Sequence, residues 1–425
     1  MIRIKTQIPG PKSAMILAGL KKRNGGWSVP YPYVHSGSGQ GAYFQDIDGN
    51  WFLDFASQIA SNPLGYNNLE LNSVIKKYKE FPVKYAGQDF CVEEHLKMID
   101  YLISISPKGM DAAFLVNSGA EAVENSIKIT MRQRPKMKFS VSVDGAFHGR
   151  TLGTLSLHHS KEIHRKGYLL EPNMKISFGD SAGLDLQKII NENGAETIGF
   201  VILEHFQGEG GYRIPSIKMV KELRKICSEN KIPYVADEVQ AGMGRTGKWW
   251  SFEHYGIKPE VFSSAKALQV GACVASREIF PEEAGAISST WGGGSRIDLA
   301  LGIKTIEIIK KRKLLQRNRV MGEYLQKGLR EIGADNVRGR GLMIGFDLPN
   351  LKKRDDLIIE GVKKGLVLLG AGEKSIRVIP PYIIEKKDID LGLHVIENAL
   401  KAVSHDGFKH KGKICDFMGC GREAS

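Results

Sequence analysis

At 425 residues, with 42% hydrophobic and 25% charged positions and 48 glycines, the chain can bury a large core, and its composition excludes a fibrous or compositionally disordered protein. The formal net charge of +13 permits an anionic partner, but the excess is spread over pairs such as Lys76-Lys77, Lys310-Lys311 and Lys352-Lys353 without a nucleic-acid motif, so it reads as solvated helix faces. No secretory-signal pattern opens the sequence, no apolar run approaches the ~20 residues of a membrane span, and the five cysteines are odd in number and scattered. The expectation is a cytoplasmic protein with no membrane or nucleic-acid partner and no disulfide framework.

In chain order, Ala42 to Asn50 predicts a hairpin around Asp48-Gly49. From about Ala112 to Val274 short apolar runs alternate with amphipathic stretches. Ala113–Val116, Phe139–Val143, Ile198–Leu203 and Pro233–Ala236 read as buried strands, and Glu121–Met131 and Ser216–Asn230 as helices. Such alternation predicts an α/β protein with a mostly parallel sheet covered on both faces. A further helix is predicted over Ile297–Arg312. After Ser404 the sequence is polar and reads as a tail; His405, His410, Cys415 and Cys420 match no common zinc spacing, so no metal site is predicted.

Five segments carry candidate chemistry, each just beyond a predicted strand. Asn117-Ser118-Gly119-Ala120-Glu121 starts a helix, where unpaired N–H groups and a glycine suit a phosphate; Ser118 as a plain cap and Gly119 as a plain turn is the competing reading. In Phe147-His148-Gly149-Arg150 an aromatic suits a planar ring and an arginine a carboxylate, set against a packed Phe147 and a surface Arg150. Glu204-His205-Phe206-Gln207-Gly208-Glu209 places two acids in a glycine loop, where they are either partnered inside or solvated. Asp237-Glu238-Val239-Gln240 ends a buried strand in an acid. An acid there keeps a heterocyclic nitrogen protonated, as pyridoxal chemistry requires, with Gln240 on the ring's phenolic oxygen and Val239 on one face. Finally, Lys266 lies between an apolar strand and a small-residue turn, surroundings that lower an amine's pKa and make it a Schiff-base nucleophile.

Taken in this order, Ser118 to Ala122, Phe147 to Arg150 and Asp237 to Gly247 make the chain resemble the class III (omega) aminotransferases, a fold-type I pyridoxal-phosphate family, up to about Val403. The resemblance implies a large domain at 61–300. It implies a smaller α+β domain formed by 1–60 and 301–404, and a basic tail at 405–425. It implies pyridoxal 5'-phosphate as cofactor, carried by Lys266 as a Schiff base, with Asp237 on the pyridine nitrogen. Ser118, Gly119, Ala120, Phe147, His148, Glu204, Val239 and Gln240 line the cofactor, and Thr290 reaches the phosphate of a neighbouring subunit in a homodimer with shared active sites. One departure stands out: the family usually has Glu-Pro where this chain has Glu204-His205. His205 is open to reading as a ligand or base, or as a satisfied loop histidine.

Within the family, Gln269-Val270 after the lysine, Ser289-Thr290-Trp291-Gly292-Gly293, Arg338 to Met343 and Ser375 to Pro381 are most similar to lysine 6-aminotransferases. This similarity implies transfer of the ε-amine of L-lysine to 2-oxoglutarate, giving a semialdehyde and glutamate. Arg377 is then expected on the α-carboxylate of glutamate, Arg150 on its distal carboxylate, and Glu209 as the acid that neutralises Arg377 in the lysine half-reaction. A 4-aminobutyrate, ornithine or broad-specificity aminotransferase, or an amino-acid racemase on the same fold, is the alternative.

Overall fold

Helix Pro11–Arg23 comes first, followed by three short strands: β1 (His35–Gln40), β2 (Tyr43–Asp46) and β3 (Trp51–Asp54). Asp46 makes the predicted turn between the last two, its Oδ1 accepting from the amides of Asp48 (3.0 Å) and Asn50 (2.8 Å) while Gly49 takes φ 86°. The computed structural model describes residues 1–25, 31–78, 80, 87, 89–405, 407–410 and 414. Two units make up the chain, one from Met1–Asn68 with Arg317–Ser425 and the other from Leu69–Gln316.

The second unit carries a seven-stranded sheet of β4 (Ala112–Val116), β5 (Phe139–Val143), β6 (Asn173–Ile176), β7 (Ile198–Leu203), β8 (Tyr234–Asp237), β9 (Val261–Ser264) and β10 (Gly271–Ala275), in the order β4-β10-β9-β8-β7-β5-β6. Pairings from β9 through β6 are parallel, and β10 runs antiparallel to both its neighbours. All six residues of β7 are buried, as a strand covered on both faces requires. The carboxyl ends of β4, β5, β7, β8 and β9 therefore share one edge of the sheet, and all five candidate segments follow those ends.

Helix Gly119–Arg132 begins because Ser118 Oγ accepts from the Glu121 amide at 3.2 Å, and it buries Val123 and Ile127 against Phe200, Ile202 and Val235. Helix Ile217–Glu229 is capped in the same way by Ser216, and Arg296–Lys311 by a reciprocal box of Ser295 and Asp298. These helices start or stop within two residues of the predicted bounds.

In the first unit, β11 (Asp335–Arg340), β12 (Met343–Asp347), β13 (Leu366–Val367), β14 (Leu369–Ala371) and β15 (Ser375–Val378) complete two four-stranded sheets, β1-β2-β3-β13 and β11-β12-β15-β14. Helix Lys386–Ser404 ends where the tail is predicted to begin, yet His410 beyond it is held by side-chain contacts. That imidazole is buried, with Nε2 2.9 Å from Asp356 Oδ1 and Nδ1 3.0 Å from Glu360 Oε1, both acids on helix Leu351–Lys363. Cys415 and Cys420 lie outside the described residues. Among those residues no helix is long and apolar enough to cross a membrane, and no three His, Cys, Asp or Glu side chains are grouped to hold a metal ion.

Candidate active site at the carboxyl edge of the sheet

Asp237 is the last residue of β8 and is buried. Its Oδ1 accepts from the Val239 amide at 2.9 Å, and its Oδ2 accepts from His148 Nδ1 at 2.7 Å. Each carboxylate oxygen has two acceptor positions, so these bonds orient Asp237 and leave it able to receive a further N–H. His148, expected from the resemblance to line the cofactor, is fully buried, and its Nε2 has no hydrogen-bond partner among the described residues.

Glu204, just after β7, ties two loops: Oε1 accepts from the Phe147 amide (3.0 Å) and Oε2 from the Gly208 amide (2.9 Å). Burial pushes its carboxyl up to about 7. The neighbouring His205 is a buried packing residue in this structure. Its Nε2 is 3.0 Å from Tyr234 Oη, its ring lies among Tyr234, Phe252 and Tyr255, and burial pushes it down to about 3, so it stays neutral. Two amide bonds thus fix the Glu204 loop where the family's proline is missing.

The turn at Gly119 is a close approach: a Cβ there would stand 2.7 Å from Val239 Cγ1. Val239 and the start of helix Gly119–Arg132 consequently form one wall, with the first amides of a fourteen-residue helix beside it. Gln240 Oε1 accepts from Tyr212 Oη at 2.9 Å, which orients the amide; a side chain at Gly208 would collide with its Nε2.

Lys266 follows β9 with φ 44°, a left-handed conformation that costs free energy outside glycine. The turn is enforced locally: the Gln269 amide and Gln269 Nε2 both donate to the Lys266 carbonyl at 3.0 Å.

Of the residues expected to bind substrate, Arg150 sets its guanidinium over the Phe147 ring, 5.3 Å from its centroid. Arg150 is exposed and Glu209 is 17% exposed, with Glu209 Oε2 3.5 Å from Lys161 Nζ. Thr290 is exposed and shares a cavity of about 390 Å³ with Asn117, Glu121 and Asn125. Arg377 belongs to the other unit, buried on β15 with its Nε donating to the Gly370 carbonyl at 2.8 Å.

Sequence reasoning passed over two groups. Glu238 is buried, accepting from the Ser251 amide (2.7 Å), Ser251 Oγ (2.5 Å) and the Phe252 amide (3.1 Å), and burial pushes it up to about 8. His158 and His164 set their rings edge-on to Phe147, at 4.9 and 6.3 Å between centroids. The histidine-rich run from His158 to His164 was the available signal for this second group.

An amine, a buried acid oriented by an imidazole, an aromatic ring and a helix N-terminus walled by Val239 are the complement of a compact cofactor with an aldehyde, a basic ring nitrogen and a phosphate. The fold and this donor set define a fold-type I enzyme that uses pyridoxal phosphate. Residues 27–400 match the family model for class-III aminotransferases. The acetylornithine aminotransferase of Methanosarcina mazei is 35% identical over 369 residues, which are 85% of this chain and 90% of that one. The mitochondrial 4-aminobutyrate aminotransferase of Homo sapiens is 30% identical over 453 residues, 93% of this chain and 90% of that protein. The solved lysine aminotransferase from M. tuberculosis superposes with a TM-score of 0.83 at 25% identity, covering 92% of this chain and 99% of that one. The chain belongs to the class-III aminotransferase family.

Proposed function

We propose that this aminotransferase takes the terminal amine of an amino acid, the ε-amine of L-lysine foremost, and transfers it to 2-oxoglutarate, leaving a semialdehyde and glutamate. The observation that carries the reading is Glu209, a partly buried acid in the glycine loop that Glu204 anchors beside Phe147. A terminal-amine donor presents a CH₂ carrying an ammonium, with no carboxylate on the reacting carbon. A pocket built for it needs a negative group where an α-amino acid would need a positive one. Lysine and 4-aminobutyrate, the donors after which two of these relatives are named, share that terminal amine.

Pyridoxal phosphate, when bound, supplies an electron-accepting ring for the substrate's proton loss. In this reading Ser118, Gly119 and Ala120 bind the phosphate together with Thr290 of the partner subunit in a homodimer, and Phe147 and Val239 hold the ring's two faces. Asp237, oriented by His148, keeps a proton on the ring nitrogen, and Gln240 donates to the phenolic oxygen. Lys266 is the covalent anchor and the base that moves a proton at the substrate carbon. Arg150 and Arg377 receive the carboxylates of glutamate.

A second reading, N-acetylornithine as donor, is favoured by the higher identity to acetylornithine aminotransferases. A panel of L-lysine, L-ornithine, N-acetylornithine and 4-aminobutyrate with 2-oxoglutarate, read as glutamate formed, separates the two. Turnover of α-amines alone, or loss of chirality without amine exchange, would sink both.

A further inference from the structure

We propose that Lys161 is a specificity-determining residue: it serves as counter-ion to Glu209 when a dicarboxylate occupies the substrate site, so that one pocket accepts both a terminal-amine donor and glutamate or 2-oxoglutarate. The inference rests on the terminal-amine reading above.

The turn that carries Lys161 is built onto the Phe147 segment. The amides of His159 and Ser160 both donate to the Ala146 carbonyl, at 2.9 and 3.2 Å. His158 is fully buried with its ring edge-on to Phe147, and its Nε2 is 3.1 Å from His164 Nδ1 and 2.8 Å from Ser160 Oγ. Burial pushes His158 down to about 3, and His164 is lowered by burial and then by Arg150, so this support is neutral packing. Lys161 sits between the two histidines with an extended backbone, at the start of the short turn Glu162–His164. From there its Nζ comes within 3.5 Å of Glu209 Oε2.

The electrostatic demand on this pocket changes between the two half-reactions. With a terminal-amine donor, Glu209 is the acid that neutralises Arg377 in this reading and needs no second cation. With glutamate or 2-oxoglutarate, two substrate carboxylates enter, and an uncompensated acid would repel them. A lysine that is 44% exposed, on a turn fixed to Phe147, can neutralise Glu209 in the second case and release it to solvent in the first. An ion pair this exposed is worth at most about a factor of five in an equilibrium, enough to tune a preference without deciding the chemistry.

The test uses cofactor-loaded enzyme and single-turnover measurement of both half-reactions, with glutamate and with the fastest terminal-amine donor of the panel. Lys161→Met is expected to lower the specificity constant for glutamate relative to that donor by about fivefold, and Lys161→Arg to restore the ratio. The effect should vanish in the Glu209→Gln background, because the cycle isolates the pair. Calorimetric titration with glutarate, a dicarboxylate that cannot react, should show weaker binding to Lys161→Met by a similar factor. An equal loss for both donors, or the same loss in the Glu209→Gln background, overturns the role of Lys161 and leaves the terminal-amine reading standing. A Glu209→Gln variant with an unchanged donor ratio overturns that reading, and the proposal with it.

Discussion

His148 Nδ1 and Asp237 Oδ2 are 2.7 Å apart, both side chains are buried, and the bond joins the loop after β5 to the end of β8. Because Asp237 also accepts from the Val239 amide, its carboxylate is fixed before any ligand arrives. Replacing Asp237 with alanine is expected to slow proton abstraction by about 10- to 100-fold, the scale of losing a charge-assisted hydrogen bond worth about 1.5–3 kcal/mol. Single-turnover rates at full cofactor occupancy measure this, and unchanged rates would remove Asp237 from the ring nitrogen.

Lys266→Ala should fold, because a side chain on a strained turn contributes little packing, and alanine at the same positive φ keeps that strain. The variant should lose the covalent link to pyridoxal phosphate and with it transamination. Borohydride treatment followed by peptide mapping reports the link, and a reduced adduct on a different lysine in the variant would show that the anchor was misassigned.

Gly119→Ala introduces a methyl 2.7 Å from Val239 Cγ1, so the wall at the helix N-terminus must shift. Overpacking of this kind costs about 1–3 kcal/mol, which predicts cofactor affinity weakened by about tenfold with far-ultraviolet circular dichroism unchanged. Equilibrium dialysis settles the matter: wild-type affinity would mean that the approach of Gly119 to Val239 does not shape the phosphate site.

Glu238 titrates near 8 when folded against its ordinary 4.5, because burial penalises its charge. In that window the folded protein holds the proton and the unfolded chain releases it. Its contribution to stability is therefore fully present below about pH 4.5 and is lost as pH rises toward about 8. Glu204, pushed up to about 7, acts in the same direction. Glu238→Gln should flatten the fall in Tm between about pH 4.5 and about pH 8, leaving the part due to Glu204. An identical pH slope in wild type and variant would contradict the buried, protonated acid.

Glu209→Gln removes a unit charge from a partly buried position, where such a charge a few ångströms from a ligand is worth about 1–4 kcal/mol. The specificity constant for a terminal-amine donor should fall relative to that for glutamate by about tenfold or more, read from the two half-reactions in stopped flow. Equal losses for both would make Glu209 a support of its loop, and donor choice would then rest on pocket shape.

The sequence by itself determined the parts of this protein that are local or periodic. The runs Phe139–Val143 and Ile198–Leu203 are the strands β5 and β7, residue for residue: Ile198–Leu203 carries no polar side chain, as burial on both faces favours, and the two buried serines of β5, Ser140 and Ser142, are both hydrogen-bonded to Asn173. The order of Ser118, Phe147, Glu204, Asp237 and Lys266 at the ends of β4, β5, β7, β8 and β9 put all five on one edge of the sheet, because those five strands run in the same direction. Only the tertiary structure decided the pairings across that edge. The residues that meet there, His148 with Asp237, Glu204 with the Phe147 amide and Lys161 with Glu209, are between 48 and 89 positions apart in the chain. No periodicity encodes those separations; they follow from strand order and loop length. The same holds for His205 and His410, polar residues that read as loop and tail. One is buried beside Tyr234 and the other between Asp356 and Glu360, because the groups that satisfy them come from distant elements.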